Sequence, residues 1–286
     1  MWLFWILACG GETQDTGEVQ VDSDDVDGDG VLNDQDCAPE DPERSENLSL
    51  TEGPYGPGDL AGLCEQYCEL TVDNLDLNLD HVSNFDSLSC VVEVQDSLNY
   101  NTSDLPNLEQ LSQLRRVGGS FDILSSTLTS LKGLDALEET GAIRLYGPKL
   151  ESLDGLQRLK TAENIRIDVV NVSDLQGLSG LRTSDYIMIN DSQLDSLQGI
   201  EQITALNTLE LKSTVLGSWQ GLPLDAGITW VALSAVEVSS FQELSAIKDL
   251  ETLWLSEMSL SEDALAQLPP VESLKLEGIS ASSLSG

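Results

Sequence analysis

From residue 143 onward the chain repeats one alternation of apolar, variable and apolar positions. Ile143-Arg144-Leu145, Ile165-Arg166-Ile167, Ile187-Met188-Ile189, Leu209-Glu210-Leu211, Val231-Ala232-Leu233 and Leu253-Trp254-Leu255 each begin 22 residues after the last. Leu150, Val172, Leu194, Leu216, Val238 and Leu260 keep the same step, as do Leu153, Leu175, Leu197, Trp219 and Phe241, and Gly155, Gly177, Gly199 and Gly221 recur two places later until Glu243 breaks that series. Ladders at one period define a tandem array. Alternation within each triplet predicts a short strand whose outer residues point inward and whose middle residue faces solvent. The Leu-x-Gly-Leu-x-x-Leu run, as in Leu153 to Leu159, spaces apolar residues by three and turns the chain back. One repeat buries too little to offset the ordering of its own backbone, so repeats must stack, with the triplets in one parallel sheet on a curved rod. The last triplet, Leu274-Lys275-Leu276, comes 21 residues after its predecessor. With no evident polar cap beyond it, the C-terminal end is expected either to form a homodimer or to fray over Ser280 to Gly286.

This pattern resembles the 22-residue leucine-rich repeats. Val117-Gly118-Gly119-Ser120-Phe121-Asp122-Ile123 followed by Leu128-Thr129-Ser130-Leu131-Lys132-Gly133-Leu134 is similar to the receptor L-domain version. The asparagine ladder of standard repeats is absent, because Pro148, Val170, Ser192, Thr214, Val236 and Met258 hold its place. The resemblance implies an α/β-type repeat solenoid, a right-handed coil with one parallel β-sheet. Leu75-Asp76-Leu77-Asn78-Leu79 and Val92-Glu93-Val94 are expected to make irregular first turns as an N-terminal cap.

Before the repeats, the chemistry changes. Met1 to Ala8 is an apolar run too short to span a bilayer, which takes about 20 residues. With Cys9-Gly10-Gly11 it resembles a bacterial lipoprotein signal, although Leu7 is bulky where a small residue is usual and no Lys or Arg precedes the run. That resemblance implies acylation of Cys9 and attachment to the membrane by lipid alone, and Gly10 in place of Asp implies outer-membrane sorting. Cys37, Cys64, Cys68 and Cys90 remain, an even number in an exported setting, so disulfides are expected. Cys64 and Cys68 sit at helical i, i+4 spacing, which disfavours a bond between them, so each is expected to pair with Cys37 or Cys90.

Asp25, Asp27, Asp29, Asn33 and Asp36 place oxygen ligands at positions 1, 3, 5, 9 and 12 of a twelve-residue loop, with Gly30 at position 6 and the Val31 carbonyl at position 7. Hard Ca²⁺ takes six to eight oxygens in such a loop, and the glycine allows the sharp turn. No amphipathic helix precedes Asp25. The loop with Asp36-Cys37-Ala38-Pro39-Glu40-Asp41-Pro42 resembles a thrombospondin type 3 repeat, which implies a calcium-organised segment without a core of its own. The chain thus divides into a lipoprotein-like signal (1–9), a flexible acidic linker (10–21), a calcium-binding motif (22–46), a disulfide-stapled cap (47–104) and the solenoid (105–286).

Fifty acidic against thirteen basic residues give a net charge of -37, of which residues 10–60 hold -15 with Arg44 as their one base. Such a field repels nucleic acid and anionic headgroups. His81 is the single histidine and has no serine or cysteine motif beside it, no phosphate-cradling glycine loop occurs, and acid pairs are too common to single out, so no catalysis is expected. A surface of stacked strands suits binding of an extracellular protein or glycan; the competing reading is a structural spacer or envelope component without a specific ligand. On the concave sheet the expected ligand-binding residues are Arg144, Tyr146, Arg166, Tyr186, Trp230 and Trp254. Arg144 and Arg166 fall about 5 Å apart on adjacent strands, which suits an anionic group on the partner or pairing with Asp122 and Asp168. Trp230 and Trp254 beside polar neighbours suit sugar or peptide contact.

Overall fold

The structure is a computed structural model that describes residues 47–51, 53–77, 88–101 and 108–281. Two compact units divide the chain, 1–45 and 46–286, and the described residues all belong to the second. Asp25, Asp27, Asp29, Val31, Asn33 and Asp36 of the calcium loop, Cys9, Cys37 and His81 lie outside the described residues.

In chain order the strands are β1 (Leu48–Leu50), β2 (Leu70–Val72), β3 (Leu75–Asp76), β4 (Val91–Val94), β5 (Leu98–Tyr100), β6 (Arg116–Leu124), β7 (Glu139–Tyr146), β8 (Thr161–Asp168), β9 (Thr183–Asn190), β10 (Gln193–Leu194), β11 (Ala205–Lys212), β12 (Val215–Leu216), β13 (Trp230–Ser234), β14 (Glu237–Val238), β15 (Thr252–Ser256), β16 (Ser259–Leu260), β17 (Ser273–Glu277) and β18 (Ser280–Ala281). One parallel sheet runs β1-β2-β4-β6-β7-β8-β9-β11-β13-β15-β17, with β3 and β5 joined to it through β6. The short strands β10, β12 and β14 make a second parallel sheet just after the long strands. Among the described residues α-helix is confined to α1 (Leu63–Gln66) and α2 (Glu262–Ala266), and the chain returns between coils through turns and 3₁₀ segments such as Gln176–Leu178 and Gln242–Ala246. Glu243, where the glycine ladder stops, sits in the longer of those two segments.

The triplets stack in the expected register: Ile143 pairs with Ile165, Ile165 with Ile187, Ile187 with Leu209, Leu209 with Val231, Val231 with Leu253 and Leu253 with Leu274. Their outer residues, together with Leu153, Leu175, Leu197, Trp219 and Phe241, are buried in one continuous apolar core. β17 departs from this. Leu274 and Leu276 occupy inward positions yet remain 46% and 49% exposed, because no further described strand pairs with β17.

The glycine ladder has a steric cause. A Cβ at Gly155, Gly177, Gly199 or Gly221 would come within 2.0 to 2.3 Å of the carbonyl oxygen of Leu131, Leu153, Leu175 or Leu197, so each coil presses its backbone on the coil before. The empty asparagine ladder is filled differently. Val170, Val236 and Met258 bury apolar side chains there, while Thr214 Oγ1 donates to the Lys212 carbonyl at 2.8 Å and Ser192 Oγ to the Asn190 carbonyl at 2.9 Å.

At the N-terminal end the stacking reaches further back than the triplet ladder suggests. Leu98-Asn99-Tyr100 pairs with Phe121-Asp122-Ile123, 23 residues on, and Val91–Val94 pairs with β2 and with the start of β6. The nine-residue β6 pairs with β4 and β5 at one 23-residue offset and shifts register against β7 across Gly118 and Gly119, which lie against the carbonyl oxygens of Gln95 and Asp96. Cys64 and Cys90 form a disulfide with a Cα–Cα distance of 5.4 Å, which ties α1 to the approach to β4. Cys68 is disulfide-bonded as well.

Candidate binding face

Three residue rows line the outer face of the main sheet from β7 to β17. One runs Ala142, Asn164, Tyr186, Thr208, Trp230, Thr252, Ser273; the next runs Arg144, Arg166, Met188, Glu210, Ala232, Trp254, Lys275; the third runs Tyr146, Asp168, Asn190, Lys212, Ser234, Ser256, Glu277. Parallel pairing at a constant step produces these rows directly. Arg144, Tyr146, Arg166, Tyr186, Trp230 and Trp254 therefore share one face, with Arg144 and Arg166 in register as the repeat length requires. The expectation of a solvent-facing middle residue fails at two coils. Met188 is 9% exposed and Ala232 only 6%, since their neighbours' larger side chains close over them.

The two arginines behave differently. Arg166 Nε donates to Asp168 Oδ2 at 2.6 Å, and Asn190 Nδ2 donates to Asp168 Oδ1 at 3.0 Å, which holds a buried carboxylate between one donor on its own strand and one on the next. This hydrogen bond to Asp168 raises the Arg166 pKa against the opposing effect of burial. Arg144 forms no salt bridge among the described residues, so the expected pairing with Asp122 is not made even though the two are in register. Tyr186 donates its phenolic hydrogen to Glu210 Oε2 at 2.5 Å. Burial, followed by that hydrogen bond, pushes the phenol well above the usual tyrosine range.

Charge sets this face apart from the rest of the solenoid. Residues 108–281 hold 25 acids and 12 bases. Extended to Asp122 on β6, the three rows hold Asp122, Asp168, Glu210 and Glu277 against Arg144, Arg166, Lys212 and Lys275, so the rows are balanced, and the remaining 21 acids and 8 bases, with Glu139, Glu163 and Asp185 at the strand starts among them, lie outside them. Seven of the twelve bases are salt-bridged, at Arg115, Arg116, Lys132, Arg158, Lys160, Arg166 and Lys248; of the other five, Arg144, Lys212 and Lys275 are on this face. Lys212 and Lys275 are not among the binding residues expected from the sequence, because an unpaired cation is visible only once its surroundings are known.

Two shallow concavities of about 400 Å³ are formed along the main sheet. One is lined by Thr161, Thr183, Ser184, Asp185, Ala205 and Asn207 where the strands begin; the other is lined by Trp230, Trp254, Lys275, Leu276 and Glu277. Among the described residues no group of three or more His, Cys, Asp or Glu could hold a metal ion, and no helix is long and apolar enough to cross a membrane.

An internalin from Listeria monocytogenes matches 77% of this chain at 17% identity with a TM-score of 0.53. The described solenoid is a leucine-rich repeat fold. The match spans 64% of that internalin's length. An internalin C2 from the same organism matches 70% of this chain and 83% of its own at 16% identity and a TM-score of 0.49. No protein-family model and no curated protein matches the chain. At such identity the likeness concerns the leucine-rich repeat fold alone, and the properties of the face follow from its own residues.

Proposed function

We propose that this chain is a non-catalytic cell-surface lipoprotein whose leucine-rich repeat face recognises or adheres to a protein or glycan ligand. The observation that carries the reading is the charge-balanced outer face with Tyr146, Tyr186, Trp230 and Trp254 on it, within a solenoid that is strongly acidic elsewhere. Depletion of net charge with enrichment of aromatic residues and arginine is the anatomy of a recognition patch. A spacer gains nothing from such unevenness. Replacing Arg144 and Arg166 together by Ala, and separately Trp230 and Trp254, should leave folding intact by circular dichroism and weaken attachment of the purified protein to its target surface. Undiminished attachment in both double variants would defeat the reading.

The anchor and stalk rest on sequence motifs. Acylation at Cys9 would hold the protein on the outer membrane, facing outward, and Cys9→Ala should release it into the soluble fraction. Calcium at Asp25, Asp27, Asp29, Val31, Asn33 and Asp36 would stabilise the stalk, and an Asp27→Ala, Asp29→Ala double variant should lose the binding seen on titration. A homodimer through the β17 end is supported by exposed Leu274 and Leu276, and sedimentation of a Leu274→Glu, Leu276→Glu variant checks it.

A further inference from the structure

At the β17 end of the face, one basic side chain is held by a ring rather than by an acid. Lys275 is in register with Trp254, and Trp254 with Ala232, while Trp230 stands in the neighbouring row two strands away from Lys275. Lys275 Nζ nonetheless lies 4.4 Å from the centroid of the Trp230 ring. The side chain therefore reaches back across β15 to rest its ammonium on the indole face. Glu277 is two residues along the same strand on the same face, yet the two form no salt bridge. A lysine placed only to neutralise charge in a chain of -37 would take that carboxylate. The indole orients a cation without cancelling it, so the ammonium keeps N–H donors for another group. Among the described residues Glu277 likewise has no basic partner, so it keeps its acceptors. Between them Trp254 is half-exposed, and the near-buried Ala232 keeps the floor low.

We infer that this cleft binds a sugar ring bearing a single carboxylate, at the end of a glycan, an assignment that rests on the recognition reading above. The ring's apolar face stacks on Trp254, its carboxylate takes a charge-assisted hydrogen bond from Lys275, and its hydroxyls donate to Glu277. A peptide offers few adjacent hydroxyl donors to a carboxylate, whereas a pyranose offers several. One carboxylate is the limit. Acids outnumber bases 21 to 8 elsewhere on the solenoid, and a ligand with charges strung over many residues would extend past the balanced face into that field.

Methyl glucuronide, methyl glucoside and an acetylated dipeptide with a free C-terminal carboxylate, titrated against the full chain and followed by tryptophan fluorescence, test the assignment. Glucuronide should bind about tenfold more tightly than glucoside, as one charge-assisted hydrogen bond allows. Lys275→Met should erase that preference while keeping weak binding of both sugars, Glu277→Gln should weaken both, and Trp254→Ala should abolish both without changing the circular dichroism spectrum. Equal binding of the two sugars, binding of neither, or preference for the dipeptide would each overturn the inference. The recognition reading would survive any of these if the Trp230→Ala, Trp254→Ala variant still lost attachment to its target surface, and would fall with it otherwise.

Discussion

Tyr186 on β9 donates its phenolic hydrogen to Glu210 on β11 at 2.5 Å, a diagonal contact between two rows of the outer face. The bond exists only while the phenol is protonated. Burial and the neighbouring carboxylate raise the phenol's pKa above the ordinary 10 in the folded chain. A raised pKa contributes stability that is present below the unfolded value and is lost as pH climbs toward the folded one. Unfolding by urea at rising pH should thus show a loss of stability beginning near pH 10, and Tyr186→Phe should flatten it. At neutral pH the substitution should cost about 0.5 to 1.5 kcal/mol, the worth of one hydrogen bond. Absorbance at alkaline pH offers a second check, since Tyr186 should be among the last tyrosines to ionise.

Gly199 and Gly227 separate two costs that glycine substitutions usually mix. Both have positive φ, at 112° and 77°. A Cβ at Gly199 would fall 2.0 Å from the Leu175 carbonyl oxygen, whereas a Cβ at Gly227 meets nothing within 4 Å. Gly227→Ala should therefore cost about 1 kcal/mol, from backbone strain alone. Gly199→Ala must also push two coils apart and should cost about 3 kcal/mol or more. Similar losses in the two variants by chemical denaturation would show that coil-to-coil approach is not what the glycine ladder secures.

The repeat was legible because its signal is periodic: Ile143, Ile165, Ile187 and their successors announce strand, register and core from spacing alone, and the rows of the face follow. Where the period slips, the signal weakens. Leu98-Asn99-Tyr100 alternates as a strand should, but the 23-residue step to Phe121 and the register shift at Gly118 hide it from a 22-residue ladder. Pairing on the face was legible only in part. Nothing in the sequence says that Arg166 takes Asp168 while Arg144 leaves Asp122, or that Lys275 prefers Trp230 to Glu277. Those choices depend on side-chain reach across strands, which spacing does not encode.

The Cys64–Cys90 disulfide closes a 26-residue separation around β2 and β3. Cross-linking a loop of that length removes unfolded-state freedom worth about 3 kcal/mol. Cys64→Ser with Cys90→Ser should lower stability by about 2 to 4 kcal/mol, and the damage should appear first in β1 to β5 by hydrogen exchange, because end coils have a neighbour on one side only. Peptide mapping without reduction should recover Cys64 with Cys90. The sequence expectation that Cys64 and Cys68 each pair with Cys37 or Cys90 then leaves Cys37 for Cys68, which lies beyond the end of α1, and a free thiol at either position would contradict it.

Val169, Asp191, Ser213, Ala235 and Glu257 recur at the repeat length directly after β8, β9, β11, β13 and β15, all in the left-handed region at φ between 46° and 54°; Gly278, at 60°, follows β17. Each of the five donates its backbone N–H to the last residue of the next strand, at 2.8 to 3.0 Å. The turn is thus fixed by a bond from coil to coil rather than by residue preference, and five ordinary side chains accept the strain. Left-handed backbone costs an L-residue about 1 to 2 kcal/mol, and glycine's extra freedom in the unfolded chain offsets about 0.5 to 1 kcal/mol of any relief. Ala235 is exposed, so replacing it removes no core contact. Ala235→Gly should therefore stabilise the protein by about 0.5 to 1 kcal/mol, while Gly278→Ala should destabilise by a similar amount. Ala235→Pro would lose the bond to the Ser256 carbonyl and cannot adopt the angle, and should cost about 3 kcal/mol or more. Chemical denaturation of the three variants reads all of this in one series. A destabilised Ala235→Gly would mean that the turn relies on its side chains after all.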